Sequence, residues 1–189
     1  DEGLAWVVDA FAIPRAPVEA LLEGYRWDVE ARRYEDLAGV RAYAVRVAAS
    51  VGVVMTLIMG RRQRDVLARA CDLGVAMQLT NIARDVGEDA RAHRIYLPLD
   101  WFAEAHLEPA NFLRDPVPSE PVRAMVRRLL AEARRLYLRG EAGIPALPVA
   151  CRPGIYAASR IYDGIGGAVA RAGYDSVSTR AHTSRAQKL

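Results

Sequence analysis

The chain is predicted to be all-α, a single bundle of helices joined by short loops. Three observations carry this. Alanine, leucine and arginine dominate the 189 residues, and the apolar–polar alternation of strands is scarce. Apolar residues instead recur every three or four positions through most of the chain. Prolines stand at the edges of those stretches, where helices start or stop. A hydrophobic share of 52% against 26% charged gives one domain enough material for a sizeable core.

In chain order, Leu4 to Phe11 reads as a short apolar helix, broken at Ile13-Pro14-Arg15-Ala16-Pro17. Val18, Leu21, Leu22, Tyr25 and Val29 carry helical spacing to about Arg33, and Tyr34 to Asp36 is a connection. A long helix is expected from about Leu37 to Gly60. Its stripe is Tyr43, Val47, Val51 (or Ser50), Val54 and Ile58, and small residues Ala48, Ala49, Ser50 and Gly52 admit a close neighbour. These positions read as core; Tyr43 stands apart, because a buried hydroxyl needs a partner.

Arg61 to Arg64 is a basic turn, and Asp65 is placed to cap a helix running to about Ala90. His93 to Pro98 is extended, Asp100 caps a short helix to Glu104, and Pro109 opens another. After the proline-rich connection Pro116 to Pro121, Val122 to Arg139 is amphipathic. Met125, Val126, Leu129, Leu130, Ala133 and Leu136 face inward, and Arg127, Arg128, Arg134, Arg135 and Arg139 form a solvated face. Gly143 to Pro153 is a rigid loop. The last helix opens at Pro153, shares Ile155, Ser159, Tyr162 and Gly166 on one face, and closes at Gly173. From Tyr174 the chain is polar, with Arg180, Arg185 and Lys188.

Composition narrows the functions. Cys71 and Cys151 lie far apart without a CxxC and read as reduced structural residues of a cytosolic protein. His93, His106 and His182 form no cluster, which argues against zinc or di-iron. The longest apolar run, Val47 to Gly60, falls short of the ~18 residues a membrane span needs, and Asp1 and Glu2 do not begin a signal peptide. A net charge of +3 suits an anionic ligand or an acidic membrane face. Nucleic acid is not expected as a partner, because the basic residues are dispersed and have no aromatic platform.

The functional signal is concentrated in Gln78 to Asp100. At about 100° per residue, Gln78, Asn81, Asp85 and Asp89 fall on one stripe, flanked by Leu79, Ile82 and Val86. Two aspartates at i and i+4 repel by about 0.2–0.5 kcal/mol, and they lie well beyond the first turn where the helix dipole favours acids. Oxygen-rich side chains on one face suit a hard cation such as Mg²⁺ carrying a substrate phosphate. Arg84, at the edge of the stripe, has the fork geometry for a phosphate oxygen. The same spacing also fits a solvated acidic face with Arg84 and Arg91 as neighbours.

The run Asn81-Ile-Ala-Arg84-Asp85-Val-Gly-Glu-Asp89-Ala-Arg, followed by Arg94-Ile-Tyr96-Leu-Pro98, resembles the second aspartate-rich motif of the squalene/phytoene synthase family. The resemblance extends more loosely across the whole chain. It implies the isoprenoid synthase (class I terpenoid synthase) bundle, in which two aspartate-rich motifs face each other across a cavity. It makes Asp85, Asp89 and Asn81 metal-binding positions, with Mg²⁺ as cofactor and Mn²⁺ as an alternative. It makes Gln78, Arg84 and Arg94 prenyl-diphosphate contacts, Tyr162 a late substrate-contacting tyrosine, and Arg180 a basic position near the tail. Tyr43, in Tyr-Ala-Val-Arg-Val-Ala-Ala-Ser-Val-Gly, matches a catalytic tyrosine that stabilises a cation with its ring or handles a proton. Ala49-Ser50 stands where the family usually has Gly-Thr. The first aspartate-rich motif is missing: Asp28 is followed by Glu30 and Arg32, and Asp36 has no partner at position 40. The chain is therefore expected to be N-terminally incomplete.

The reaction the resemblance implies joins two geranylgeranyl diphosphates head to head, through prephytoene diphosphate, to phytoene. The enzyme is expected in the cytoplasm, with a peripheral contact at the membrane face because the product is a long hydrocarbon. The alternatives are a squalene or dehydrosqualene synthase using farnesyl diphosphate, and a non-catalytic relative acting in assembly.

Overall fold

The computed structural model describes residues 2–181, and the fold is all-α, with no strand among the described residues. The polar tail read from Arg185 and Lys188, and His182, lie outside the described residues. The helices are α1 (Glu2–Ala10), α2 (Arg15–Val29), α3 (Leu37–Ala44), α4 (Ser50–Ile58), α5 (Arg64–Arg91), α6 (Leu99–Glu104), α7 (Pro109–Arg114), α8 (Glu120–Glu141) and α9 (Arg152–Arg171). A π turn, Val45–Ala49, joins α3 to α4, and two 3₁₀ turns, Ile144–Ala146 and Val149–Cys151, lie in the loop before α9.

The bundle is organised around α5, the longest helix, which packs against α8, α9 and the α3–α4 unit. Leu79, Ile82, Ala83 and Val86 of α5 are buried with Val122, Val126, Leu129 and Leu136 of α8. At about 25 cal/mol per Å² of apolar area, each such side chain contributes roughly 1.5–3 kcal/mol to folding. The inward stripe expected on α8 is as predicted, with Leu130 only partly buried. Two buried polar pairings join α5 to α8. The Thr80 hydroxyl meets that of Tyr137 at 3.0 Å, and buried Asp72 accepts from Arg69 at 2.8 Å and pairs with Arg139 at 3.2 Å, tying α5 to α8. A smaller cluster of Val66, Ile144 and Leu147 closes one end of the bundle.

Several boundaries differ from the sequence reading, each for a local reason. α2 stops at Val29 rather than near Arg33, because Ala31 turns to a φ of 47° and Arg32 N–H bonds back to the Trp27 carbonyl. Asp65 does not cap α5. Gln63 occupies the cap without a side-chain bond, and Asp65 sits inside the first turn, where the dipole favours it. Asp100 likewise lies in the first turn of α6 behind Pro98, so it too is not the cap. Asp36 is a true cap, accepting from Gly39 N–H at 2.8 Å.

The helix expected from Leu37 to Gly60 is interrupted. The π turn sits between Gly24 of α2 and Gly74 of α5. A Cβ at Gly74 would lie 2.6 Å from Ala49 Cα, so glycine is what lets the two backbones approach. The wider turn loosens carbonyls, and side chains satisfy them: Ser50 Oγ donates to the Arg46 carbonyl at 2.5 Å and Arg46 to the Ala42 carbonyl at 3.0 Å. Counted through the turn, Leu37–Ile58 is 22 residues, long and apolar enough to cross a membrane by length and composition, which corrects the shorter run read from sequence. Here it packs instead against α2 and α5.

The tail is less polar than its composition implied. Val177 is buried and crosses α5 at Gly87, where a Cβ would lie 2.5 Å from the Val177 carbonyl oxygen. Gly87 N–H donates to the Ser176 carbonyl at 2.9 Å and Arg91 to that of Val177 at 2.7 Å.

Candidate active site

Helix α5 presents the expected stripe. Gln78, Asn81, Asp85 and Asp89 are all half-buried, with Leu79, Ile82 and Val86 buried beside them. Gln78 and Asn81 also belong to the wall of a cavity of about 360 Å³. Its remaining wall is mostly apolar, from Val51 and Met55 of α4, Met77 of α5 and Ile155 of α9, and Tyr162 of α9 also lines it. The polar stripe therefore begins in the cavity and continues along α5 beyond it.

The two aspartates have opposite environments. Burial alone would raise the Asp85 carboxyl, but Arg84 and Arg180 outweigh it and hold the group below the usual carboxylate range. Arg84 Nε donates to Asp85 Oδ1 at 2.7 Å, and Arg180 Nε reaches the same oxygen at 2.7 Å. Arg180 Nε also lies 3.1 Å from Glu88, so the tail crossing at Gly87 brings a second guanidinium to the stripe. Asp89 has no such clamp. Burial, then the charges of Asp85 and Glu88, push its carboxyl up to about 7, against the pull of exposed Arg94.

A stability prediction follows from Asp89. The native state holds this proton more tightly than the unfolded chain, so it binds more protons between about pH 4 and 7, and stability falls as pH rises through that window. In metal-free protein at pH 8, Asp89→Asn is expected to raise Tm by about 2–4 °C for each kcal/mol recovered. It should also flatten the Tm profile between about pH 4 and 7. An unchanged or lower Tm by calorimetry would show that Asp89 is not strained.

The donor set fits a hard cation. Asn81 Oδ1 is buried without a hydrogen-bond partner among the described residues, while its Nδ2 lies 3.4 Å from Gln78 Oε1. Asp89 is desolvated, and among the described residues nothing donates a hydrogen bond to its side chain. Two carboxylates and an amide oxygen make part of a shell for Mg²⁺, which accepts oxygen ligands and keeps water or phosphate in the rest. Among the described residues no three His, Cys, Asp or Glu converge to complete it.

The structure separates Tyr43 from the cavity. Its hydroxyl donates to Asp28 Oδ1 at 2.8 Å, and its ring is buried and stacks on Tyr96 with centroids 5.1 Å apart. Tyr96 donates to the same Asp28 oxygen at 2.8 Å. Burial, then the bond to Asp28, push Tyr43 far above the ordinary tyrosine range and Tyr96 up to about 12. Tyr43 thus stays a neutral phenol rather than a tyrosinate base. The sequence reading treated Asp28 only as a failed member of an aspartate motif and missed this cluster. One signal was available: Asp28 lies in the last turn of α2, where the dipole disfavours an acid and a partner is needed.

The squalene/phytoene synthase family model matches residues 1–187. Phytoene synthase of Cereibacter sphaeroides is 59% identical over 189 residues, all of this chain and 53% of that protein. Phytoene synthase of Rhodobacter capsulatus is 53% identical, covering all of this chain and 56% of that protein. The chain thus spans about half the length of these curated relatives. Among solved structures, a dehydrosqualene synthase in complex with ligand superposes with a TM-score of 0.85 at 30% identity, covering 98% of this chain and 65% of that one. Squalene synthase of Alicyclobacillus acidocaldarius gives 0.85 at 21% identity, over 92% and 65%, a likeness of fold alone. The expected isoprenoid synthase bundle is therefore the fold observed. With the match running through residues 1–187 of 189, the chain belongs to the squalene/phytoene synthase family.

Proposed function

We propose that this chain carries one half of a head-to-head prenyl condensation site, joining two geranylgeranyl diphosphates to phytoene. The observation that carries the reading is the continuity of Gln78 and Asn81 with both an apolar cavity and a carboxylate stripe. A prenyl diphosphate has this same division into a long apolar tail and an anionic head. The identity to two phytoene synthases favours the geranylgeranyl substrate, and the likeness to a dehydrosqualene synthase keeps farnesyl diphosphate as the second reading.

In this proposal Asp85, Asp89 and Asn81 hold Mg²⁺. When bound, the ion supplies Lewis-acid neutralisation of the leaving diphosphate. The chain's own residues do the rest. Gln78 offers an amide donor to diphosphate oxygens at the cavity edge, and Arg84 and Arg180 offer guanidinium forks beside Asp85. Arg94 adds a cation near Asp89. The apolar walls on α4 and α9, with Tyr162, orient the tail and keep water from the carbocation that forms when diphosphate leaves. A peripheral position at the cytoplasmic membrane face would serve release of the hydrocarbon.

The test uses protein expressed from its complete reading frame, incubated with Mg²⁺ and each diphosphate separately. Phytoene from geranylgeranyl diphosphate is the expected result. Product from farnesyl diphosphate alone would transfer the reading to the shorter-chain synthases. No product from either would sink the enzymatic reading and leave the assembly role.

A further inference from the structure

The Asp28 cluster is not absorbed by the cavity or the acidic stripe, yet it is built as carefully as either. One carboxylate oxygen accepts two phenols from different parts of the chain, Tyr43 at the end of α3 and Tyr96 in the extended segment after α5. The rings of Tyr34, Tyr43 and Tyr96 cluster: Tyr96 stacks on Tyr43 and on Tyr34 with centroids 5.1 and 6.4 Å apart, and Tyr34 meets Tyr43 tilted at 5.4 Å. Tyr34 hydroxyl is buried beside them without a hydrogen-bond partner among the described residues. The carboxylate is close enough to Asp89 for its charge to be felt there. Arg46 and Arg32 are committed elsewhere, each within about 4 Å of the Trp27 ring, and Arg46 also pairs with Glu23 at 2.9 Å.

A carboxylate that accepts both hydroxyls fixes more than a hydrogen-bond count. It orients two ring planes, and it sets the approach of the segment carrying Arg94 and Tyr96 to the Asp89 end of the stripe. A structural tie at a helix end would need only one of these bonds. Drawing both phenolic protons to one oxygen also leaves each phenol oxygen more electron-rich.

We propose that Asp28 is a positioning residue of the condensation site, acting through Tyr43 and Tyr96. The inference rests on the function proposed above. Asp28 does not touch the reacting atoms; it holds the two phenols and the wall between α3 and the Arg94 segment in working register.

The test is a double-mutant cycle on the full-length protein with Asp28→Ala, Asp28→Asn, Tyr43→Phe and the Asp28→Ala/Tyr43→Phe pair. An asparagine Oδ1 can still accept both hydroxyls, so Asp28→Asn should recover most of the activity that alanine loses. Asp28→Ala is expected to lower kcat about 10²-fold with KM changed by no more than about threefold, the signature of misplacement rather than lost binding. The double variant should cost about as much as the larger single one, because both act on the same bond. Multiplicative losses, or a Tm drop with kcat unchanged, would overturn the proposal. Should Asp28→Ala fail to fold, Asp28→Leu, which fills the space without offering an acceptor, takes its place in the cycle with Tyr43→Phe. Ultraviolet titration of the tyrosines needs no turnover: two phenols resistant to alkali in the wild type should ionise earlier in Asp28→Asn. If the wild type proves inactive, the function proposed above falls. Unaltered titration would then sink the Asp28 assignment as well, and an earlier ionisation would uphold its grip on the two phenols.

Discussion

Asp85→Ala is expected to lower kcat for a prenyl diphosphate about 10³-fold while leaving a folded protein. Asp85 is the most heavily engaged group of the stripe, with guanidinium forks from Arg84 and Arg180 on its two oxygens. Its removal takes away a carboxylate from the proposed ion site and the acceptor that holds both arginines in place. Arg84 is only 18% exposed, and a charged donor left short of a partner there costs about 1–3 kcal/mol. Asp85→Asn keeps the shape and half the acceptor capacity, so Arg84 should stay seated while ion binding is still lost. Steady-state kinetics beside Mg²⁺ calorimetry separate the two effects. Retention of more than a tenth of wild-type kcat in folded Asp85→Ala would end the assignment of the stripe.

The largest stability loss is expected from Gly74→Val. A Cβ there meets Ala49 Cα at 2.6 Å and Ala49 N at 2.9 Å, both backbone atoms that cannot rotate aside. Valine adds two further carbons, so α5 must withdraw from the π turn. The cost is about 3 kcal/mol, the upper range for overpacking, and far exceeds the few tenths that valine regains over glycine in helix propensity. A fall in Tm of about 6–12 °C follows for a chain of this size. Gly154→Ala is the control. Nothing lies within 4 Å of that position in α9, and the change should be neutral or slightly stabilising. Equal Tm values for the two variants would show that the α5 approach is looser than described.

What could be read from sequence was whatever depends on spacing within one helix. The α5 stripe and the inward face of α8 came out as expected because burial there follows the 3.6-residue period. Arg180 reaches Asp85 from 95 residues away, a contact that neither spacing nor the resemblance to a basic tail position indicated. Beyond the local errors at helix ends and caps, the misses are tertiary. The π turn depends on glycines at 24 and 74, each more than 20 residues from Ala49, and no pattern inside Leu37 to Gly60 encodes them. Tyr43, read on one stripe with Val47 and Val51, lies against Tyr96 and Asp28, while those two valines line the cavity. The burial of Val177 rests on Gly87, and the role of Asp28 on two phenols brought from positions 43 and 96.

The π turn also bears on how chain length can vary in this protein. A helix that already carries one surplus residue between Val45 and Ala49 is a place where a single codon can be lost without breaking the hydrogen-bonded run on either side. The backbone would heal into ordinary α-helix, and because the wider turn already takes up the extra residue, the segments before and after it would keep nearly their present facing. Tyr43 and its bond to Asp28 lie on one side of that seam, and the cavity residues Val51 and Met55 on the other. An alignment gap of one residue in these five would therefore leave both the fold and the facing of Tyr43 and the cavity wall largely intact.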